Sequence, residues 1–204
     1  LSSSSAASDV YKRQDIIKSP VHIRIDRKDY IIVQLKNGDL KILNRRGEDR
    51  IVVENKIQYN DNTVYSYLGS FTTSDNQGNL IQIDTNGNFK RNNLNLSENS
   101  MINIFDDKLI YISEDILSIK GIDVKLPVGR YSKPKIFNIS RNFFVGTTDL
   151  NDNNIYLFND SGELVKGFPL KGSSSYDLID SDMDGKLEII SKIDNFSIVS
   201  YEIN

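Results

Sequence analysis

The sequence predicts an all-β protein with the fold of a partial β-propeller, built from about five four-stranded antiparallel blades. One supporting observation is a repeat of about 40 residues, the period of propeller blades. Gly38 and Gly78 are 40 residues apart, and so are Gly47 and Gly87. The other is the pattern within each repeat, where short runs of alternating apolar and polar residues are separated by turns of Asn, Asp and Gly.

The strand predictions rest on this alternation. Ile31, Val33 and Leu35 fall on alternate positions and are expected to point one way, as in a half-buried strand. Leu40 and Ile42 do the same in the partner strand. Between the two strands stand Asn37 and Gly38, a strong signal for a short hairpin. The pair predicts a type I′ turn, in which both residues have positive φ.

The repeats are predicted to cover residues 21–55, 56–97, 100–127, 134–170 and 174–204. In the fourth repeat the outermost strand is expected to begin at Glu163, with Pro169 near its end, because an edge strand tolerates proline. The fifth repeat stops after three strands. A β-sandwich is the alternative, since it also has short strands, but it would not require the long repeat.

The beginning of the chain is treated apart from the fold. Residues 1–14, LSSSSAASDVYKRQ, resemble the translated sequencing-adapter tails found on gene models from metagenomic assemblies, and a disordered tail is the alternative. Residues 15–204 are then a single propeller segment. Because Leu1 is not methionine, we expect a fragment of a longer protein, and we expect DIIKS, from residue 15, to belong to an upstream blade.

Composition narrows the function. The chain of 204 residues has a net charge of −3, which gives no reason to expect a nucleic-acid partner, and its apolar runs are too short for membrane insertion. It has no cysteine, so thiolate chemistry is excluded. The only histidine, His22, lies in an alternating apolar strand and is interpreted as structural. We therefore expect no enzyme; the alternative is a fragment of a propeller glycoside hydrolase, whose paired carboxylates a sequence cannot reveal.

One stretch carries a candidate site: YDLIDSDMDGKLEIIS, residues 176–191. An EF-hand is excluded because the flanks are strands and the twelfth loop position, which should be Glu, is Ser191. The remaining interpretation is a hairpin loop that binds a hard cation such as calcium. Its predicted ligands are the side chains of Asp180, Asp182, Asp184 and Glu188 and the carbonyl of Lys186. The alternative is an Asp-rich turn whose side chains bond only backbone amides. A second polar loop, residues 149–154, lacks this alternation and is interpreted as a hairpin turn.

Residues 153–191, NNIYLFNDSGELVKGFPLKGSSSYDLIDSDMDGKLEIIS, resemble the VCBS and FG-GAP-type repeats of bacterial surface and periplasmic proteins. Residues 21–137 match those repeats only in spacing. The resemblance implies a non-catalytic module for recognition or scaffolding, with a structural calcium ion in the acidic loop. It also implies a periplasmic, cell-surface or secreted location and a protein or carbohydrate partner. The family usually has aspartate where Glu188 stands.

Overall fold

The computed structural model describes residues 15–139 and 142–203, and residues 1–14 with their predicted tail lie outside it. The regular structure of the described residues consists of β-strands. Among the described residues, no helix is long and apolar enough to cross a membrane.

Over residues 15–139 and 142–203, nineteen strands form five antiparallel sheets, numbered here in chain order. Sheet 1 contains β1 (Val21–Ile25), β2 (Lys28–Gln34), β3 (Leu40–Leu43) and β4 (Asp49–Ile51). Sheet 2 contains β5 (Tyr65–Tyr67), β6 (Ser70–Ser74), β7 (Asn79–Ile83) and β8 (Phe89–Asn93). Sheet 3 contains β9 (Met101–Phe105), β10 (Lys108–Ser113), β11 (Ile116–Ile119) and β12 (Ile122–Lys125). Sheet 4 contains β13 (Lys135–Ile139), β14 (Asn142–Asp149), β15 (Asn154–Asn159) and β16 (Leu170–Lys171). Sheet 5 contains β17 (Asp177–Ile179), β18 (Leu187–Lys192) and β19 (Ile198–Ile203).

Within each sheet the strands lie side by side in the order of the chain, and all pairs are antiparallel. Four sheets have four strands, and sheet 5 has three among the described residues. Consecutive meanders of this kind are the blades of a propeller. The predicted fold class, all-β with about five blades, is confirmed.

The predicted outer strand of sheet 4 is wrong in its position. It does not begin at Glu163; the strand that pairs with β15 is only Leu170–Lys171. Between these points Leu164 makes a single isolated bridge to Phe158. Pro169 has no N–H group to donate to a ladder, so regular pairing starts only after it.

The hairpin predicted at Asn37 and Gly38 is present, but its turn type is not I′. Gly38 has a φ of 89°, whereas Asn37 is not among the residues with positive φ. The Gly38 amide donates to the Leu35 carbonyl at 2.9 Å, and the Leu35 amide donates to the Asp39 carbonyl at 3.0 Å. The connection is therefore a three-residue loop in which only the glycine adopts the left-handed conformation.

The segment DIIKS belongs to sheet 1, which corrects its predicted place in an upstream blade. Ile16 bridges to Leu35, and the Ile17 amide donates to the Gln34 carbonyl at 3.1 Å. Tyr59 makes the matching bridge to Asp75 in sheet 2. The segment is thus the approach to its own sheet, as in the later repeats.

The described chain forms two compact units that divide between Ser100 and Met101. In the first unit, sheets 1 and 2 share one apolar core, to which Ile32 and Phe71 contribute. In the second unit, sheet 4 packs through one face on sheet 3 and through the other on sheet 5. Each of these cores joins one sheet to the next in the chain, which is how propeller blades bury their two faces.

Candidate metal centre

The acidic loop connects β17 to β18 and brings three carboxylates together. Ligand oxygens of Asp180, Asp182 and Glu188 lie within 4.8 Å of one another. Asp180 and Asp182 are exposed, whereas Glu188 lies on β18 and is only 8% exposed. Three convergent carboxylates of this kind could hold a metal ion, because hard cations prefer an all-oxygen ligand set.

Strand pairing explains how Glu188 joins the loop residues that precede it by several positions. In the antiparallel ladder Ile179 lies directly opposite Glu188. Asp180 follows Ile179 at the end of β17, so the hairpin returns Glu188 to the start of the loop. Directly opposite residues in such a ladder have side chains close enough to interact.

Backbone amides of the loop orient these carboxylates. Glu188 Oε2 accepts a hydrogen bond from the Ser181 amide at 2.7 Å, and Asp180 Oδ2 accepts one from the Gly185 amide at 3.1 Å. Gly185 has a φ of 88°, a conformation that glycine adopts without steric cost. The same bonds are those expected of an Asp-rich turn, so loop geometry is compatible with both interpretations made from the sequence.

Asp184 does not belong to the convergent group. Its Oδ1 accepts a hydrogen bond from the Lys186 amide at 2.8 Å, and its Oδ2 lies 3.7 Å from Lys186 Nζ. The predicted roles of Asp184 and of the Lys186 carbonyl as ligands stay predictions.

Glu202 on β19 is a charged neighbour that sequence reasoning missed. Its Oε2 accepts a hydrogen bond from Lys186 Nζ at 2.9 Å. This bond is the main reason that the pKa of Lys186 is raised, with the charges of Glu202 and Asp184 adding to it. The pair could not be found from local spacing, because Glu202 lies 16 residues after Lys186 and is brought near by the β18–β19 ladder.

The two other features singled out in the sequence lie apart from this loop. Asp149 ends β14 and pairs with Asn154, so residues 149–154 form a hairpin turn as predicted. Its side chain is buried, and its Oδ1 accepts a hydrogen bond from the Asn151 amide at 2.9 Å. His22 Nε2 lies 3.0 Å from Asp29 Oδ1 on the neighbouring strand β2.

The acidic loop lies at the exposed tip of the β17–β18 hairpin. A cleft of about 420 Å³ lies instead at the other end of sheet 5, next to the β18–β19 turn. Two carboxylates, Asp177 and Asp194, line it. Asp177 forms an ion pair with Lys135. The Phe196 amide donates a hydrogen bond to Asp194, and this bond is the main reason that the pKa of Asp194 is lowered.

Comparison with solved structures identifies the class of fold. The chain is similar to BamB from Moraxella catarrhalis, with 16% identity and a TM-score of 0.54 over 90% of this chain and 56% of that chain. It is similar to streptogramin B lyase, with 19% identity and a TM-score of 0.54 over 90% of this chain and 68% of that one. It is also similar to BBS1N, solved in complex with ARL6DN, with 13% identity and a TM-score of 0.57 over 93% of this chain and 66% of that chain.

These proteins are β-propellers, and the chain has the fold of a partial propeller. It spans little more than half of BamB and about two thirds of the other two chains. No protein-family model and no curated protein matches the sequence. Because one of the similar proteins is named a lyase and another is bound to a protein, the fold is compatible with both catalysis and recognition.

Proposed function

We propose that this chain is a non-catalytic propeller module for recognition or scaffolding in an exported bacterial protein, with a structural calcium ion in the loop of sheet 5. The observation that carries the proposal is the convergence of Asp180, Asp182 and Glu188 within 4.8 Å. It is supported by the resemblance of residues 153–191 to VCBS and FG-GAP-type repeats.

Charge repulsion gives this loop its need for a cation. Three carboxylates converge, while the nearest ammonium group of the loop, on Lys186, hydrogen-bonds Glu202 and lies near Asp184. A divalent cation would relieve the repulsion and fix the turn. Calcium takes 6 to 8 oxygen ligands, so backbone carbonyls and water must complete its shell, and affinity on the order of 10⁻⁴ to 10⁻³ M is expected.

The proposed partner is a protein. BBS1N, a propeller of similar fold, was solved in complex with ARL6DN, which is a protein-recognition use of this architecture. Propeller blades offer rigid strands and exposed turns, and binding residues are commonly carried on such turns.

The glycosidase alternative lacks a supporting observation in the cleft of sheet 5. A glycoside hydrolase needs a general acid with a raised pKa beside a second carboxylate. The pKa of Asp194 is lowered, mainly by the hydrogen bond from the Phe196 amide, and Asp177 is paired with Lys135. The lowered pKa of Asp194 is the opposite of the raised pKa that a general acid needs.

The calcium proposal is tested by thermal unfolding with chelator and with several millimolar calcium. Binding to the folded state alone stabilises by mass action, here by about 1 kcal/mol or less. For a chain of this size, about 1 kcal/mol corresponds to a rise in the unfolding midpoint of about 2–4 °C. We expect calcium to raise the midpoint of the unmodified chain by up to this amount.

The variant Asp182→Asn should lose most of this response, because it removes the charge of one proposed ligand. It retains an oxygen that can accept the hydrogen bond from the Asp184 amide, so the turn itself should be preserved. Asp84→Asn is the matched control. Asp84 also accepts hydrogen bonds from turn amides, at Asn86 and Asn88, but belongs to a different turn. If calcium shifts the midpoint of all three chains equally, or of none, the loop is only an acidic turn.

A further inference from the structure

Asp149, at the end of β14, carries a carboxylate that has no part in the acidic loop of sheet 5. The residue is 0% exposed. Its Oδ1 accepts the hydrogen bond from the Asn151 amide, but no hydrogen-bond partner for its Oδ2 exists among residues 15–139 and 142–203. Buried carboxylates are normally paired, hydrogen-bonded or bound to a metal ion, because an uncompensated buried charge is costly. The free oxygen therefore indicates a ligand that the described chain does not itself supply.

The corresponding position in sheet 2 shows how the chain satisfies such a carboxylate when it can. Asp75 follows β6 and bridges to Tyr59. Asp149 ends β14 and bridges in the same way to Tyr131. Asp75 Oδ1 accepts a hydrogen bond from the Asn79 amide at 2.9 Å, and Asn79 Nδ2 donates to Asp75 Oδ2 at 2.8 Å. Both oxygens of Asp75 thus receive hydrogen bonds from one residue across the turn.

The turn of sheet 4 does not provide this donor. It consists of residues 150–153 and is one residue longer than the turn that precedes Asn79. Asn154 lies opposite Asp149 in the ladder, but its Oδ1 accepts a hydrogen bond from Lys171 Nζ at 2.8 Å. Asn154 and Lys171 are therefore bonded to each other, and within the described part of the chain Asp149 Oδ2 receives neither an amide nor an ammonium donor.

Gly129 lies against this carboxylate. A Cβ atom added to Gly129 would be 2.6 Å from Asp149 Oδ2 and 2.8 Å from its Oδ1, closer than such atoms approach. The position thus requires a residue without a side chain. Gly129 belongs to the irregular segment between β12 and β13, where the neighbouring Val128 is 89% exposed. The carboxylate is therefore covered by the backbone of a loop rather than by another sheet.

The turn also gathers negative charge. Asp152 is its second carboxylate and is exposed. Burial is the main reason that the pKa of Tyr156 is raised, and the charges of Asp149 and Asp152 raise it further. The pKa of Tyr131 is also raised, first by burial and then by the charge of Asp149. Both carboxylates thus lie close enough to Tyr156 to act on it, and a cation beside Asp149 would relieve their mutual repulsion.

We propose that Asp149 Oδ2 binds a calcium ion, with the Asp152 carboxylate as a second ligand and oxygens of Asn151, Asn153 and water completing the shell. Calcium accepts 6 to 8 oxygens in flexible geometry, whereas magnesium requires a near-ideal octahedron and keeps several waters, for which a covered carboxylate leaves little room. The ion must displace the Gly129 segment, and the site has two carboxylates where the loop of sheet 5 has three, so we expect weaker binding than in that loop. The proposal does not depend on the calcium ion proposed for sheet 5.

Terbium luminescence tests this site, because terbium(III) occupies calcium sites made of oxygen ligands and a nearby tyrosine sensitises its emission. Tyr131 is the bridge partner of Asp149 and serves as the sensitiser. The measurements are made on the Asp182→Asn chain, so that the loop of sheet 5 contributes least. We expect sensitised emission that excess calcium abolishes and that the same excess of magnesium leaves largely in place.

Asp149→Asn is the test variant, added to the same chain. It removes the charge but retains an oxygen for the Asn151 amide, so the emission should be lost. The matched control is Asp75→Asn, which changes the corresponding carboxylate in sheet 2 and should leave the emission unchanged. Thermal unfolding in chelator checks that the fold is intact. Asp149→Asn should melt no lower than its parent, since it removes a buried charge whose Oδ2 has no described partner. Asp75→Asn should melt lower, because Asn79 Nδ2 loses a charged acceptor.

Gly129→Ala is an independent variant that adds an atom beside Oδ2 and leaves the charge in place. It should weaken terbium binding, whereas Val128→Ala in the same segment should not. Emission that survives Asp149→Asn, terbium that calcium does not displace, or an Asp182→Asn chain without emission would each overturn the proposal. Emission from the unmodified chain that Asp182→Asn abolishes would assign the ion to the loop of sheet 5 and leave the proposed function intact. Emission that depends on Asp149, in a chain whose melting does not respond to calcium through Asp182, would support this site and refute the other.

Discussion

Two glycines one repeat apart make the same contact with the segment that follows the last strand of their sheet. The Gly38 carbonyl accepts a hydrogen bond from the Ile57 amide at 2.9 Å, and the Gly78 carbonyl accepts one from the Leu96 amide at 3.2 Å. Both glycines have positive φ. A Cβ atom on Gly78 would lie 2.7 Å from the Leu96 carbonyl oxygen. The glycine is therefore required twice, by its backbone conformation and by the close approach of a neighbouring backbone.

This double requirement predicts the cost of Gly78→Ala. Gly69→Ala is the matched control, because Gly69 has a φ of 70° with no atom within 4 Å of an added Cβ. The control should lower the free energy of unfolding by about 1–2 kcal/mol from conformation alone. Gly78→Ala should cost at least about 1 kcal/mol more, since backbone must move. Urea unfolding measures both; equal losses would show that the close approach has no energetic role.

At the scale of the element, two of the two-residue hairpin turns contain no glycine, although both of their residues have positive φ. The β1–β2 connection consists of Asp26 and Arg27, with φ values of 49° and 62°. The β9–β10 connection uses Asp106 and Asp107 in the same conformation, with φ values of 49° and 52°. Positive φ at both central residues is the signature of a type I′ turn, which matches the twist of the strands it joins. Arginine ordinarily avoids positive φ, so here the register of the strands imposes the turn conformation on Arg27.

Arg27→Gly should therefore stabilise the β1–β2 hairpin. Glycine adopts positive φ without the steric cost that an arginine pays, and the net gain should reach up to about 1 kcal/mol after the greater freedom of the unfolded chain is subtracted. Lys28→Gly, one residue later within β2, is the control and should lower the free energy of unfolding by about 0.5–1 kcal/mol. Chemical denaturation compares the two. A loss of stability in Arg27→Gly would mean that the arginine side chain contributes more than its turn conformation costs.

At the scale of the whole molecule, the pKa values of two aspartates and of a buried tyrosine are shifted in opposite directions. Hydrogen bonds from Lys56 and Lys125 lower the pKa of Asp39 and Asp115 respectively. Burial raises the pKa of Tyr176, whose hydroxyl donates a hydrogen bond to the Tyr156 carbonyl at 2.5 Å. The folded chain thus favours charged aspartates and neutral tyrosines.

These directions predict a plateau in stability against pH. A lowered aspartate pKa contributes stability above the ordinary value of 3.8, and this contribution is lost as pH falls below it. A raised tyrosine pKa contributes stability below 10.0, which is lost as pH rises above it. Urea unfolding across the pH range should show falling free energy on both sides of this window. In Tyr176→Phe the alkaline decline should be shallower; an unchanged decline would assign it to other groups.

Much of the architecture could be predicted because propeller blades are local structures. Each sheet is formed by consecutive strands, so alternation and turn residues within about 40 residues specify it. The predictions that were wrong involve competition between local signals and pairing. Pro169 delays the outer strand of sheet 4 to Leu170, and Asn37 lies in a three-residue loop although its pairing with Gly38 favours a type I′ turn.

The sequence by itself determined the repeat, the all-β class and the acidic composition of the loop in sheet 5, since these depend on residue types at short spacing. Only the tertiary structure decided which acids converge. The β17–β18 ladder brings Glu188 to Asp180 and Asp182, while Lys186 lies close to both Asp184 and Glu202. The tertiary structure also decided which apolar side chains are covered. The sequence predicts both Ile189 and Ile198 as strand residues. They lie on opposite faces of sheet 5, so Ile189 is buried in the core shared with sheet 4, whereas Ile198 is 79% exposed.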